Sequence, residues 1–394
     1  MNTYTDAANP ISETSKKKIL ISGSGVAGII CALSLDRKKY DIDIIEQADS
    51  FRNIGFSITL WKSGFDLLKN VLATHGKGFT EGIDYFPVSA FTLFGGSVLN
   101  NLKTLDAKGF AWVIERGHLM DILESALLEK MNGRQVSLST TITDIKSVNN
   151  KAIVSLSNGD NKEYDFVIVA EGINSTTRGM LFGQAEHIVP MNQSLRYAWF
   201  DKPTDLGKNG ALFFTKSHIG VIHPPYTRNL LGYYFKNGTS VQEQKLFEVK
   251  MFGVIKSPDG TETSVDASTS HVFDLKKVYL PRYHTGNAIA CIGDAAHGRP
   301  PTLGFGTSLA IEDSVLLCYY LNNANSFDNF ERVLAGFSAT RARRIERIYR
   351  FQDIIHKFIT DSAVKVWVLS LCLKVFYAKY MEYKVKKFAS YKVF

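Results

Sequence analysis

Gly23-Ser24-Gly25-Val26-Ala27-Gly28 sets three glycines at G-x-G-x-x-G spacing near the start of the chain. The first glycine permits a tight turn, the second lets backbone approach a pyrophosphate, and the third allows a helix to pack closely on a strand. A helix opening at Val26 and Ala27 offers N–H groups without intrahelical partners, together with a partial positive charge suited to phosphates. Glu46 follows Gly28 by 18 residues, where a carboxylate can accept hydrogen bonds from ribose hydroxyls. An acid at that place favours an unphosphorylated ribose, as in FAD or NAD, over NADP. A glycine turn alone can serve packing only. The strand, helix and acid around this one favour dinucleotide binding.

These residues need a strand–turn–helix–strand frame, and the sequence supplies it. Residues 19–22 form a short apolar run ending at glycine, residues 26–35 carry Ala, Ile and Leu at helical spacing, and residues 42–46 read as a second buried strand. Further on, a helix is predicted over 117–130, and short strands at 136–138 and 152–156. A turn at Asn158-Gly159 and a strand at 164–170 follow. Aromatic and β-branched runs at 195–200, 211–214 and 230–235 alternate with Gly, Pro and Asn turns, which implies antiparallel sheet. Residues 288–292 return to parallel-strand composition, and the pattern from Thr307 onward is mainly helical.

Two later segments separate FAD from NAD. The stretch from Tyr164 to Arg178, YDFVIVAEGINSTTR, resembles the D-x-x-I-x-A-D/E-G-x-x-S-x-x-R segment of flavin monooxygenases. Gly293-Asp294-Ala295-Ala296-His297, followed by Pro301, Gly304, Phe305 and Gly306, resembles their G-D-A-A-H-x-x-x-P-x-x-G-x-G segment. On these three ordered motifs the chain resembles, over about residues 18–340, the single-component FAD-dependent aromatic hydroxylases of the para-hydroxybenzoate hydroxylase type. That family includes the tetracycline-inactivating enzymes. The resemblance implies an α/β fold: a glutathione-reductase-like, FAD-binding Rossmann domain with an inserted antiparallel-sheet substrate domain and C-terminal helices. The expected divisions are a flexible N-terminus over 1–17 and a discontinuous FAD-binding domain over 18–80, 105–180 and 281–340. A substrate-binding sheet domain takes 81–104 and 181–280, and a basic C-terminal helical segment takes 341–394.

The resemblance also implies roles for single residues. Asp294 stands at a strand end, where a carboxylate can accept hydrogen bonds from ribityl hydroxyls. Pro301, Gly304, Gly306 and Thr307 precede a helix whose N-terminal N–H groups can stabilise negative charge on the pyrimidine side of reduced flavin. Arg52, Gly55 and Thr59 match the family segment after the ribose acid, where the chain passes the flavin. Arg116 matches an R-x-x-L at a helix start, where the family arginine contacts FAD. A solvated side chain at Arg52, or a helix-capping arginine at Arg116, is the plainer alternative. Glu171 replaces the more usual Asp, and Phe305 and Ser308 stand where glutamine and asparagine are common, departures that read as tuning.

The activity so implied is monooxygenation. NAD(P)H reduces FAD, oxygen forms a C4a-hydroperoxyflavin, and one oxygen atom passes to an aromatic or polycyclic substrate. That chemistry is carried by flavin and requires no protein nucleophile. No metal-ligand pattern, nucleophile elbow or paired-carboxylate arrangement stands out, and no catalytic side chain is assigned. A reductase, dehydrogenase or halogenase on the same fold is the alternative, and a partner-binding flavoprotein without turnover is the third reading. His223 and Tyr233 are candidates for the substrate pocket, while His297 reads as hydrogen-bonded support rather than as an acid or base.

Composition bounds the rest. The chain has 394 residues, 45% hydrophobic and 21% charged, which is globular rather than disordered composition. Its formal net charge of +8 is confined to the end: residues 338–394 hold 13 Lys/Arg against 4 Asp/Glu, and the remainder is nearly balanced. A uniformly basic surface for nucleic acid is thereby excluded. Residues 364–378 form an apolar stretch interrupted by Lys365 and Lys374, shorter than the roughly 20 residues of a spanning helix. They read as a helix packed on the body, with peripheral membrane contact as the alternative. Cys31, Cys291, Cys318 and Cys372 show no paired spacing, and the N-terminus lacks a signal-like apolar run, so a cytoplasmic location is expected.

Overall fold

The computed structural model describes residues 16–51, 56–76, 81–95, 99–132, 136–183, 187–200, 206–215, 218–223, 229–255, 265, 267–324, 326–327, 330–356 and 378–394. The chain opens with β1 (Lys17–Ser22), α1 (Val26–Ser34) and β2 (Tyr40–Ile45), the frame the glycine spacing predicts. Next come β3 (Ser57–Trp61), α2 (Lys62–Ala73), β4 (Phe86–Pro87), β5 (Ala90–Gly95), β6 (Asn100–Asp106), β7 (Ala111–Glu115) and α3 (Arg116–Met131). They lead into β8 (Ile142–Val148), β9 (Lys151–Leu156), β10 (Asn161–Tyr164), β11 (Phe166–Val169) and α4 (Thr176–Phe182). The middle of the chain forms β12 (Ile188–Phe200), β13 (Asn209–Phe214), β14 (Ile219–His223), β15 (Asn229–Lys236), α5 (Val241–Val254) and β16 (His271–Val278). The last part holds β17 (His284–Thr285), β18 (Ile289–Cys291), α6 (Asp294–His297), α7 (Gly306–Asn322), α8 (Phe330–His356) and α9 (Ala378–Ala389).

A five-stranded sheet in the order β17-β18-β11-β1-β2 gathers strands far apart in sequence. Its four strands from β18 to β2 run parallel. Parallel strands covered on both faces must be apolar throughout, and Ile19, Leu20, Ile21 and all of β11 are buried. A seven-stranded sheet follows the order β16-β12-β15-β14-β13-β5-β6. It is antiparallel, as expected, except that β5 joins β13 in parallel. The reason is connectivity, since β5 and β13 are brought together from distant parts of the chain.

Three local expectations also change. Residues 136–138 contribute only a single bridge, Ser137 with Ile45. The run 164–170 divides: Tyr164 ends an antiparallel strand on β9, and Phe166 begins the parallel strand on β1. Lys17, expected in the flexible N-terminus, pairs with Tyr40. The expected divisions at 104/105, 180/181 and 340/341 fall inside β6, α4 and α8. Among the described residues no helix is long and apolar enough to cross a membrane.

Candidate functional site: a dinucleotide cleft meeting an apolar pocket

The glycine turn is dictated by contact. A Cβ on Gly28 would lie 1.9 Å from the Gly23 carbonyl oxygen, so a side chain there would push α1 off the turn. Gly25 differs, because a Cβ there would meet nothing within 4 Å and would project into the cleft. Glu46 stands just past β2 and clasps the same turn. Its Oε2 accepts from the Ser24 N–H at 2.8 Å and from Ser24 Oγ at 3.0 Å. Gly23, Gly25, Glu46 and Arg116 line one cavity of about 260 Å³, with Ser50, Thr140 and Glu171. Burial lowers the Arg116 pKa.

This cavity shares Gly25, Arg116, Ala170 and Gly172 with a second one of about 390 Å³. The second is lined by Val26, Ala27, Thr59, Asp294, Pro301, Gly304, Gly306 and Thr307. The predicted residues therefore converge from β3, α1, α3, α6 and α7 onto one continuous groove. Two helices, α1 and α7, open onto it, and neither N-cap, Gly25 or Phe305, supplies a side-chain hydrogen bond to its helix. Uncapped N–H groups at two helix starts suit a ligand carrying negative charge at two separated points. Asp294 faces the groove from between them, and burial raises its pKa, with His297 opposing that shift. The open space over Gly25, the paired helix starts and the acid lining the cavity fit an extended dinucleotide. Arg52 and Gly55 lie outside the described residues.

The departures from the family pattern have physical causes. Glu171 is engaged within the protein, accepting from Ser22 Oγ at 2.6 Å, Ser175 Oγ at 2.7 Å, Thr177 N–H at 3.1 Å and Thr177 Oγ1 at 2.5 Å. The extra methylene lets it tie the end of β1 to the start of α4. Buried Arg178 then donates to the carbonyls of Ala295 at 3.2 Å and Ile173 at 3.1 Å, joining the second motif to the third. Phe305 stacks on Trp61 at 4.8 Å between ring centroids. Ser308 Oγ accepts the Trp61 N–H at 3.0 Å, and a Cβ added to Gly64 of α2 would meet Ser308 at 2.6 Å. Room for a larger side chain at 308 is thus limited by α2.

Beside the groove lies an apolar pocket that shares Thr59, His223, Pro301 and Gly304 with it. Trp61, Phe91, Leu212, Val221, Leu303, Met381 and Val385 supply much of its remaining wall, with Asp106 and Glu382 as acids. Burial drops the His223 pKa to about 4, so the ring is neutral near pH 7. Its Nδ1 lies 3.5 Å from Thr59 Oγ1. Tyr233, the other expected pocket residue, is elsewhere and that expectation is corrected: its hydroxyl donates to Glu248 at 2.7 Å beneath α5. Strand alternation explains the miss, because Tyr233 points into the second core, with Phe247 and Met251. His218 stacks on Phe247 in that core, and Tyr226 lies outside the described residues.

Sequence reasoning missed Trp61, Arg299 and the contribution of α9. A lone aromatic at a strand end carries no signal beyond core packing. Arg299 lines the groove and donates to Asp353 at 3.0 Å, a pairing that no short motif encodes. From α9, Met381, Glu382 and Val385 face the pocket, while Lys386 pairs with Asp106 at 2.6 Å and Glu382 at 2.8 Å. Part of the basic tail therefore belongs to the pocket wall. The membrane-contact alternative rests on a basic helix running to Lys387, of which the apolar residues 364–377 lie outside the described residues, while Lys386 is tied to Asp106 and Glu382. His297 is fully buried and bonded to Asp313, as support rather than as a group facing the groove.

Comparison with known proteins follows the same lines. The model of the FAD binding domain family matches residues 121–352, more than half of the chain. The FAD-dependent monooxygenase janM of Penicillium janthinellum is 24% identical over 407 residues, covering 93% of this chain and 81% of that protein. The 2-heptyl-3-hydroxy-4(1H)-quinolone synthase of Pseudomonas aeruginosa is 23% identical, covering 91% and 94%. The crystal structure of Klebsiella pneumoniae HpxO complexed with FAD and uric acid superposes with a TM-score of 0.76 at 15% identity, covering 95% and 96%. The chain belongs to this FAD-binding domain family, and its class is that of the FAD-dependent monooxygenases.

Proposed function

We propose that this chain is a single-component monooxygenase that uses NAD(P)H and O2 to hydroxylate an aromatic or polycyclic small molecule. The observation that carries this reading is the wall of Thr59, His223, Pro301 and Gly304 common to cofactor groove and apolar pocket. A substrate in the pocket meets the cofactor there with little intervening water. When bound, the flavin supplies reduction by NAD(P)H, activation of O2 and transfer of one oxygen atom.

The chain's own residues bind and orient. The start of α1, at Gly25, Val26 and Ala27, takes the pyrophosphate, with Gly23 and Gly28 shaping the turn and Glu46 holding ribose hydroxyls. Asp294 accepts from the ribityl chain, Arg116 contacts the cofactor along the groove, and the start of α7, at Gly306 and Thr307, stabilises negative charge on the ring system. Neutral His223 and Thr59 supply hydrogen bonding to the substrate without adding charge. Trp61 and Phe91 favour a flat apolar body. The quinolone synthase and the uric acid complex among its relatives support this substrate class.

The test is NAD(P)H oxidation and oxygen uptake by FAD-loaded protein against phenols, quinolones and tetracyclines. Substrate-stimulated consumption of both is expected. A substrate converted without oxygen consumption overturns the proposal, and halide-dependent product would select halogenation instead.

A further inference from the structure

Behind the groove lies a concentration of buried charge. Glu312 and Asp313 on α7, Arg341 on α8 and His297 on α6 have side chains wholly removed from solvent, and Arg344 nearly so. Such a cluster is tolerated only where every charge is paired, and a well-packed apolar core would serve stability as well. Arg341 bridges the two acids, with Nη1 at 2.8 Å from Glu312 Oε2 and Nε at 2.5 Å from Asp313 Oδ1. Arg344 Nη2 adds a contact to Glu312 Oε1 at 3.0 Å. Asp313 turns its other oxygen toward the cofactor side. Oδ2 accepts the Gly293 N–H at 2.8 Å and lies 2.6 Å from His297 Nε2.

The hydrogens on His297 follow by elimination. Tyr349 Oη lies 2.6 Å from the His297 carbonyl oxygen, which can only accept, so the tyrosine proton points there. His297 Nδ1, 3.2 Å from the same Oη, is then the donor in that contact. On the other side the ring faces a carboxylate already paired with Arg341, an acceptor only, so Nε2 donates as well. Each ring nitrogen thus faces an oxygen able to accept its hydrogen.

We infer that His297 is a buried imidazolium and that Asp313 is a positioning residue of the cofactor groove. Gly293 turns with φ +59° immediately before Asp294, and Asp313 holds the N–H of that turn. The same carboxylate fixes the histidine closing α6, so the Asp294 carboxylate is presented to the groove with a cation behind it. This rests on the reading that Asp294 contacts FAD.

Two measurements on the full-length chain test it. With isotope-labelled histidine, ring-nitrogen NMR near neutral pH should show both His297 nitrogens protonated, assigned by their loss in His297→Gln. A neutral His297 ring overturns the imidazolium. In FAD titrations, Asp313→Asn should bind at least about tenfold more weakly, with unchanged far-UV circular dichroism. Affinity within about twofold of the parent overturns the positioning role. Should Asp313→Asn not fold, Asp313→Glu keeps the charge beside Arg341 while moving the oxygen off the Gly293 N–H, and it carries the same expectation and the same overturning result. Asp294→Ala separates the two levels. Unchanged FAD affinity there removes the reading beneath the inference, whereas weakened Asp294→Ala beside unchanged Asp313→Asn removes the inference alone.

Discussion

Around the cofactor groove, position is set by hydrogen bonds and buried charge. Glu46 holds the glycine turn, Glu171 ties β1 to α4, and Asp313 and Arg341 sit beneath the turn that presents Asp294. Across the shared wall, the apolar pocket is shaped mostly by volume, through Trp61, Phe91, Leu212, Val221 and the inward face of α9. A dinucleotide offers the same phosphates and hydroxyls to every protein that binds it, so few residue types at fixed spacing serve. An apolar substrate offers shape, which many combinations of side chains can match. The first kind of site leaves a motif and the second does not.

The largest effect should come from the glycine turn. Gly28→Ala forces a Cβ to within 1.9 Å of the Gly23 carbonyl and should give protein that retains no FAD through purification. Gly25→Ala, whose Cβ has open space, should lose FAD affinity while keeping the thermal stability of the apoprotein. Equal destabilisation of both variants would break the distinction between packing glycine and ligand-facing glycine. Next in size, Arg341→Ala removes the cation shared by two buried acids, leaving Glu312 only Arg344 and Asp313 only His297, and should cost about 3–5 kcal/mol in denaturant unfolding. A loss under about 1 kcal/mol would show that the ionic support beneath the groove is dispensable.

The pH response separates the regions again. Burial holds His223 and His218 at about 4, below the usual 6.5. The unfolded chain therefore takes up protons first as pH falls. Their contribution is fully present above about pH 6.5 and is lost progressively as pH drops toward 4, on the order of 3 kcal/mol for each. Replacing both histidines with Phe should flatten the unfolding free energy across that window, and an unchanged slope would contradict their burial as neutral rings. The smallest effect belongs to the pocket wall. Leu212→Ala should raise substrate KM roughly tenfold with FAD affinity unchanged, about 1–2 kcal/mol of lost apolar contact. A matching loss of FAD affinity would show that the two parts of the site are not separable.

Much of the groove was legible because each step had a local cause. The β1–α1–β2 unit and Glu46 lie where spacing placed them, and Asp294 and the start of α7 where the motif resemblance did, with strand and helix ends shifted by a residue or two. The split at Asp165 was hidden because residues 164–170 read as one apolar run, and only the separate partners of Tyr164 and Phe166 divide it. Tyr233 misled because alternation along β15 decides its face, and a run as apolar as Leu230–Phe235 conceals alternation. The tail misled in another way. Its cations look like a solvated surface in sequence, yet Arg341 and Arg344 are buried against acids of α7, and Lys386 is tied to Asp106. Net charge of a segment does not say which charges meet water.

The most direct test of the central claim is isotopic. FAD-loaded protein, NAD(P)H and isotopically heavy O2 should be incubated with whichever phenol, quinolone or tetracycline stimulates NAD(P)H oxidation, and the product weighed by mass spectrometry. The account predicts one heavy oxygen atom in each product molecule, with coupled consumption of NAD(P)H. Product that carries oxygen from water, or forms at full rate without O2, would contradict it.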